Sequence, residues 1–419
     1  MRNKYMTKKF KVVEAFSGIG SQAKALKNIG AKFKVVATID WDIYATCAYD
    51  LIHNGAPDLK PYKDFTKKEL IGILKKKYTL STNGKDSLSE FGLKSMSEES
   101  LRRVLAAIDR SHNLGSIVDI SGKSFPCKVD LFTYSFPCQD LSICGAWHGN
   151  KSGIDRNAHN RSGMLWEVER ILKELKELNK PLPKFLLMEN VSNILSATHK
   201  KNFEEWRNYL EEIGYYNQIY SLSAINFGIP QIRVRTYMLS VFVGGSKRRK
   251  QRVKKFFDEN SLENKEFVKP KPLKEFLRVD YSNPVYKAEA DASNPNDTDS
   301  RTYIYNNNAH IYDGEKAVKS FIKTITTKQD RNPNSGLIIY KQRKKGKALY
   351  RNLTPRECFL LMGFEESDFN NIVNNNFNVK KGRLFFTQEK LIRLAGNSIV
   401  VNVLEEIFKQ ILEINSELL

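Results

Sequence analysis

The 419 residues contain no run of about eighteen apolar side chains, so no segment is suited to cross a bilayer as a helix. The start, Met1-Arg2-Asn3-Lys4, leads into a strand pattern without the apolar stretch of a secretion signal, and a cytoplasmic, nucleoid-associated location is expected. Cysteine is scarce: five residues, at 47, 127, 138, 144 and 358, form no Cys-x-x-Cys pair. An odd number of thiols in a reducing compartment argues against disulfides and against a zinc site, so no metal is expected and a functional thiol would act alone. Negative charge is also short. Lys and Arg number 68 against 47 Asp and Glu, a net charge of +21, and this excess favours a polyanionic partner, nucleic acid first. No internal repeat is present. With 41% apolar residues the chain can bury a sizeable core, and its length exceeds what one compact α/β unit needs. Two domains in a monomer are expected.

Lys11-Val12-Val13-Glu14-Ala15-Phe16 reads as a strand, the stretch after Ser17-Gly18-Ile19-Gly20 through Ile29 as a helix, and residues 34–39 as a second strand ending at Asp40-Trp41-Asp42. Further strands are expected at 131–135, 185–188 and 236–243, with helices at 164–178 and 203–213. This alternation means a mostly parallel, doubly wound α/β sheet. Residues 66–128, rich in Lys and Ser, read as an insertion. From about Gly244 the texture changes, with a basic cluster at 247–252, β-like pieces at 301–305 and 336–340, and a second basic cluster at 341–347. The expected organisation is a first domain over 1–243, a second over 244–345, and a C-terminal segment, 346–419, returning to the first.

Phe136-Pro137-Cys138-Gln139 follows the apolar run 129–134, which puts one thiol at the exit of a buried strand, where open α/β sheets carry their chemistry. Phe125-Pro126-Cys127 repeats the tripeptide but precedes that strand. Position, not local sequence, separates the two thiols. At the first strand the glycine-rich turn lets a helix N-terminus approach a ligand, and Asp40 at the second strand's tip can take ribose hydroxyls while Trp41 stacks on adenine. The third glycine of a full Gly-x-Gly-x-x-Gly is replaced by Ala23, and the same turn serves equally well as a tight strand-to-helix connection.

Six blocks then converge on one family: 16–20 (Phe-Ser-Gly-Ile-Gly), 136–139 (Phe-Pro-Cys-Gln), Glu189-Asn190-Val191, 226–235 (Asn-Phe-Gly-Ile-Pro-Gln-Ile-Arg-Val-Arg), 351–357 (Arg-Asn-Leu-Thr-Pro-Arg-Glu) and Gly396-Asn397-Ser398. The chain resembles the bacterial DNA (cytosine-5) methyltransferases of restriction-modification type, over nearly all its length apart from the insertion and the second domain. A CpG-specific member carries a related long insertion before its Pro-Cys block. The resemblance implies an S-adenosylmethionine-dependent, Rossmann-like methyltransferase fold with a smaller target-recognition domain, and double-stranded DNA as partner.

Carbon 5 of cytosine becomes nucleophilic only after a nucleophile adds to carbon 6, and the resemblance gives that role to Cys138. It makes Glu189 the proton donor to ring nitrogen 3, Arg235 the cation near oxygen 2, and Arg233 their support. Spacing by two puts both arginines on one face of a strand. For S-adenosylmethionine it implies Phe16, Gly18, Ile19 and Gly20, with Asp40 on the ribose, Trp41 on adenine, Asp64 on the adenine amino group, and Leu165 and Asn397 completing the pocket. Tyr62-Lys63-Asp64-Phe65 departs from the family's Gly-Asp-hydrophobic pattern. The glycine-rich stretch after Gln139, with Ser142 and ending in Arg161-Ser162-Gly163, resembles the loop that closes on a flipped base, and Thr324 and Thr326 fall in a recognition-like signature. Two alternatives are an RNA (tRNA) cytosine-5 methyltransferase, which shares the Pro-Cys-Gln and Glu-Asn-Val blocks but whose Cys-Phe-Thr signature is absent since Cys358-Phe359 continues as Leu360, and a non-catalytic DNA-binding homologue. A nucleotide-linked dehydrogenase fits the first βαβ unit but not the Pro-Cys-Gln block.

Overall fold

The computed structural model describes residues 9–137, 141, 154–156, 161–263, 267–380 and 382–419, with the side chains of 161, 162 and 380 excepted. The chain forms two units. The first comprises Met1–Leu222, Val234–Asn264 and Leu404–Leu419, and the second Ser223–Arg233 and Lys265–Val403.

In the first unit β1 (Phe10–Ala15), α1 (Ser21–Asn28) and β2 (Phe33–Ile39) form the expected βαβ opening. They are followed by α2 (Ile43–Asn54), α3 (Lys67–Lys77), α4 (Glu90–Ser95), α5 (Glu98–Arg110), β3 (Leu131–Tyr134), α6 (Leu165–Glu177), β4 (Phe185–Val191), α7 (Lys200–Glu212) and β5 (Tyr215–Ser223). Strand β7 (Val234–Phe242) follows β6 (Gln231–Ile232), which belongs to the second unit, and α8 (Lys247–Glu259) closes this part. The six-stranded sheet has the order β2-β1-β3-β4-β7-β5. Strands β1 to β4 are parallel, and β7 runs antiparallel to β4 with Phe185 opposite Val241 and Val191 opposite Arg235. One end of the sheet, called the top here, therefore carries the C-terminal ends of β1 to β4 and the start of β7. The other, the foot, carries their first residues and the end of β7.

Alternation along the strands divides the core. Val13, Ala15, Phe132, Tyr134, Leu186 and Met188 face α6 and α7, where Trp206 is fully buried and donates to the Tyr134 hydroxyl at 3.2 Å. Glu14 turns to the opposite face, toward Tyr49 of α2 and the start of α1.

Residues 66–128, expected as an insertion, pack against the first unit's β2 and α2. Helix α5 buries Leu101, Val104, Leu105 and Ile108, Arg110 pairs with Asp50 of α2 at 3.2 Å, and residues 112–114 lie parallel along β2 through His112 and Thr38. The Lys-rich surroundings hid the amphipathic helix α5, seven of whose thirteen residues are buried. The basic cluster at 247–252 does not open the second domain. It is the N-terminal half of α8, which buries Val253, Phe256 and Phe257 and stacks Phe257 on Tyr216 of β5 in the first unit. Return to the first unit is confined to 404–419, so most of 346–419 belongs to the second.

The second unit holds α9 (Pro284–Ala292), α10 (Asp299–Asn307), β8 (His310–Tyr312), β9 (Ile322–Lys323), β10 (Leu337–Ile339), β11 (Tyr350–Arg351), α11 (Pro355–Leu360), α12 (Glu366–Asn374), α13 (Gln388–Asn397) and the start of α14 (Val401–Glu417). The piece at 301–305, expected as β, is helical. Ile304 and its neighbour Tyr305 both pack on a cluster of Leu337, Ala348 and Tyr350, which adjacent strand residues on opposite faces could not do. The block 351–357 is a buried scaffold: Arg351 makes two 2.8 Å bonds to Glu357, both side chains fully enclosed, and Thr354 and Glu357 form a capping box on α11.

Candidate active site

At the top of β1 the chain leaves the strand through three left-handed residues, Phe16 (φ 54°), Gly18 (φ 56°) and Gly20 (φ 79°). The two glycines are needed for different reasons. A Cβ on Gly20 would lie 2.1 Å from Nε2 of His53 and 2.6 Å from the Tyr49 ring, so it would have to displace these side chains. A Cβ on Gly18 would meet nothing nearer than 4.0 Å, leaving an open cradle in which only the backbone conformation favours glycine. Burial holds His53 neutral, its pKa down at about 4, and Nε2 lies 3.2 Å from the Ile19 carbonyl, as a donor from the neutral ring. Ile19 is buried and Phe16 packs at the margin of the core.

Asp40 fastens this turn to β2. One carboxylate oxygen accepts the Gly18 N–H at 2.9 Å and the other accepts the Asp42 N–H at 2.9 Å. Asn113 holds Asp40 by its backbone, accepting its N–H at 3.1 Å and donating to its carbonyl at 2.8 Å. Trp41 is half-buried, and its carbonyl accepts from Ser81 at 2.6 Å. Beneath the turn, burial pushes the Glu14 carboxyl up to about 8, opposed in part by the Tyr49 hydroxyl and the Ala23 N–H. Asp64 is exposed on the turn before α3, and the segment that does lie against the Asp40 tip is 112–115. Leu165 is fully enclosed in the core at the start of α6.

The next two strand ends carry Phe136-Pro137 and Glu189. Phe136-Pro137 continues β3 at the top, and Cys138, the next residue, lies outside the described residues together with Gln139 and Ser142. Asn190, 2% exposed at the end of β4, donates to the Phe136 carbonyl at 3.1 Å and so ties that approach to Glu189. Glu189 lies opposite Tyr237, and Arg235 sits two residues away on the same face of β7, where its Nε is 3.4 Å from Oε1 of Glu189. Both side chains are largely enclosed. Beyond the undescribed residues Asn193 holds the Leu141 carbonyl at 2.6 Å, and Arg156 stacks on Trp166 and bonds Glu169 and Glu205. Arg161 opens the short turn before α6, its side chain outside the described set.

The other described thiols differ in setting. Cys47 and Cys358 are buried, and desolvation pushes both thiols far up, away from the nucleophilic thiolate. Cys127 is exposed but lies on the segment entering β3 at the foot, the end of the sheet away from Glu189.

In the second unit Arg233 is buried and donates to the carbonyls of Ile325 (2.8 Å), Gly396 (3.1 Å) and Ser398 (2.9 Å). It precedes β7, which begins at Val234, so the same-face argument for Arg233 and Arg235 does not apply. Thr324 and Thr326 spend their hydroxyl protons on the carbonyls of Ile232 and Lys328, and Gln231 accepts the Ile325 N–H. A Cβ on Gly396 would lie 2.5 Å from the Thr326 backbone, so this segment and the 231–233 stretch are knitted together by close backbone approach. Asn397 is exposed at the end of α13.

The profile of the C-5 cytosine-specific DNA methylases matches residues 80–413. The chain is 35% identical over 418 residues to the orphan methyltransferase M.SssI of Spiroplasma monobiae, covering 97% of this chain and 98% of that protein. It is 30% identical to the type II methyltransferase M2.ScrFI of Lactococcus lactis subsp. cremoris, covering 96% and 98%. The chain belongs to the C-5 cytosine-specific DNA methylases. The structure of Dnmt2 from S. pombe shares the fold, with a TM-score of 0.58 at 20% identity over 97% of this chain and 99% of that one. The methylase acts on DNA and transfers a methyl group to cytosine carbon 5. Asn190, Asn113 and Glu14 escaped the sequence reading as site residues. Glu14 had a signal, a charge inside an apolar strand run. Asn113 had none, since its contact with Asp40 spans 73 positions.

Proposed function

We propose a division of labour for this reaction in duplex DNA. The target cytosine rotates out of the stack, because a thiol cannot reach the ring face inside a helix. Cys138 forms a sulfur–carbon bond at ring carbon 6, and the displaced π electrons move toward nitrogen 3 and oxygen 2. Glu189 gives a proton to nitrogen 3, and the Arg235 guanidinium, already beside Glu189, stabilises the charge at oxygen 2. Asn190 fixes the carbonyl of Phe136 and thereby the entry to residue 138. After methylation and loss of the carbon-5 proton, Cys138 departs as thiolate.

S-adenosylmethionine would supply the electrophilic methyl. The residues fit an adenosine: the open cradle at Gly18, the left-handed turn from Phe16 to Gly20, and a carboxylate at Asp40 with Trp41 beside it. Ile19 would complete that wall. Asp64, Leu165 and Asn397 remain proposed contacts of the cofactor, and Arg233 the residue that positions the arm carrying β7. The second unit, with Thr324 and Thr326, would read the target sequence, and Gln139, Ser142 and Arg161 would close over the extruded base.

The observation that carries this reading is the meeting of Phe136-Pro137 with the Glu189–Arg235 pair at one end of the sheet, through the Asn190 bond. Incubation with methyl-labelled S-adenosylmethionine and either duplex DNA or tRNA tests it. Label at carbon 5 of cytosine in DNA is expected, and label in RNA alone would overturn it.

A further inference from the structure

We propose that the foot of the sheet is a second binding surface for the phosphate backbone of duplex DNA, separate from the strand ends at the top that carry Glu189 and Arg235. This rests on the chain being a DNA methylase.

The foot gathers positive charge from parts of the chain far apart in sequence. Lys32 and Lys34 flank the first residue of β2, Lys128 precedes β3, and Lys184 immediately precedes β4, all exposed. Parallel register brings these strand starts to one end. Antiparallel β7 ends there, and after a short turn α8 begins there as well. Asp130, on the same rim, is already engaged by the Lys184 ammonium and the Lys11 N–H, each at 2.9 Å.

Helix α8 concentrates the charge. Seven of its thirteen residues are Lys or Arg. Its first turn holds four cations and no acid, the reverse of what the positive end of a helix dipole favours. Ser246 caps the helix through the Arg249 N–H, and burial of Val253, Phe256 and Phe257 fixes it to the sheet. Lys247, Arg248 and Lys250 are exposed and pair with no carboxylate among the described residues. Arg252 is anchored on the Glu417 carbonyl, which keeps the cationic face at the foot.

Glu189 lies four residues past the first residue of β4, about 13 Å at the strand rise, and Arg235 seven residues before the end of β7, about 23 Å. Duplex DNA is stiff over about 150 bp, so a short target duplex held at the top cannot bend round to the foot. The occupant is therefore a second duplex, or a distant segment of one long molecule. Such a contact would let the enzyme hold DNA while the top of the sheet changes sites.

The test saturates the wild-type enzyme with a short unlabelled target duplex and S-adenosylhomocysteine, then titrates a fluorescent duplex lacking cytosine targets. A second duplex bound per enzyme, with affinity falling steeply in salt, is expected. The triple variant Lys247→Gln, Arg248→Gln, Lys250→Gln should flatten the slope of log affinity against log salt by up to about 3, at roughly 0.9 per lost phosphate contact. Its methylation rate on the short duplex at saturation should stay within about twofold of wild type. One duplex per wild-type enzyme under these conditions overturns the proposal without any variant, and leaves the face to an acidic protein or to solvent. An unchanged salt slope in the folded triple variant overturns it as well. Failure of the wild type to methylate the short duplex would count against the methylase reading instead.

Discussion

Asp40 is the residue whose removal has the most readable effect. Its carboxylate holds the Gly18 and Asp42 N–H groups, and through Gly18 it fixes the left-handed turn. Each bond has a charged acceptor and contributes about 1.5–3 kcal/mol where water is partly excluded. Half-burial argues for the lower figure, so Asp40→Ala should lose roughly 3 kcal/mol of preorganisation, a rise of about two decades in Kd for the cofactor. Asp40→Asn retains one acceptor oxygen but turns an NH2 toward an N–H donor, and should weaken binding by about tenfold. Isothermal titration with S-adenosylhomocysteine reads both, and turnover at saturating S-adenosylmethionine should fall far less than affinity. Cofactor binding by Asp40→Ala within about twofold of wild type would refute the assignment of this carboxylate to the cofactor turn.

Gly20→Ala should be folded but weakened: a left-handed Ala costs about 1–2 kcal/mol, and displacing His53 from Ile19 adds about 1 kcal/mol, so urea unfolding should show a loss of roughly 2–3 kcal/mol. Gly18→Ala, with open space at its Cβ, should lose only the backbone part. Glu14 supplies a pH dependence of definite sign. Its folded pKa, about 8, stands above its ordinary 4.5, so the folded state retains the proton longer. The stability it contributes is present below pH 4.5 and is lost as pH rises to about 8, at most about 1.4 kcal/mol per pH unit. Glu14→Gln should remove that slope from urea midpoints measured between pH 5 and 8, and an identical slope in the variant would contradict it. Glu357→Gln leaves the enclosed Arg351 guanidinium without its charge partner and should cost about 3–5 kcal/mol, whereas a loss under about 1 kcal/mol would show that pair to be dispensable.

Much of the catalytic frame is visible in the sequence because its signals are local. The strand–Gly-x-Gly–helix opening, the apolar run before Phe136-Pro137 and the carboxylate after the 185–188 run each need only a few consecutive residues. Strand β5, by contrast, was not expected, since Tyr215–Ser223 mixes polar and aromatic residues and is fixed as a strand by its place beside β7. Helix α8 resembles a domain boundary in the sequence because its charge outweighs the three apolar residues that dock it. The links that organise the site, Asn113 to Asp40 and Asn190 to Phe136, join residues 73 and 54 positions apart, and no window along the chain contains both partners. The spacing of Arg233 and Arg235 suggests one strand face, but Arg233 lies a single residue outside β7, which removes the period of two.

The central claim is that the thiol of residue 138 bonds to cytosine carbon 6. A duplex in which fluorine replaces hydrogen at carbon 5 tests it directly, because the methylated adduct then has no carbon-5 proton to lose and the sulfur–carbon bond persists. Peptide mass spectrometry of the enzyme incubated with this duplex and S-adenosylmethionine should find the methylated nucleotide on Cys138, with none in Cys138→Ser and an undiminished yield in Cys127→Ser. An adduct on Cys127, or continued methylation of ordinary duplex DNA by Cys138→Ser, would contradict the account.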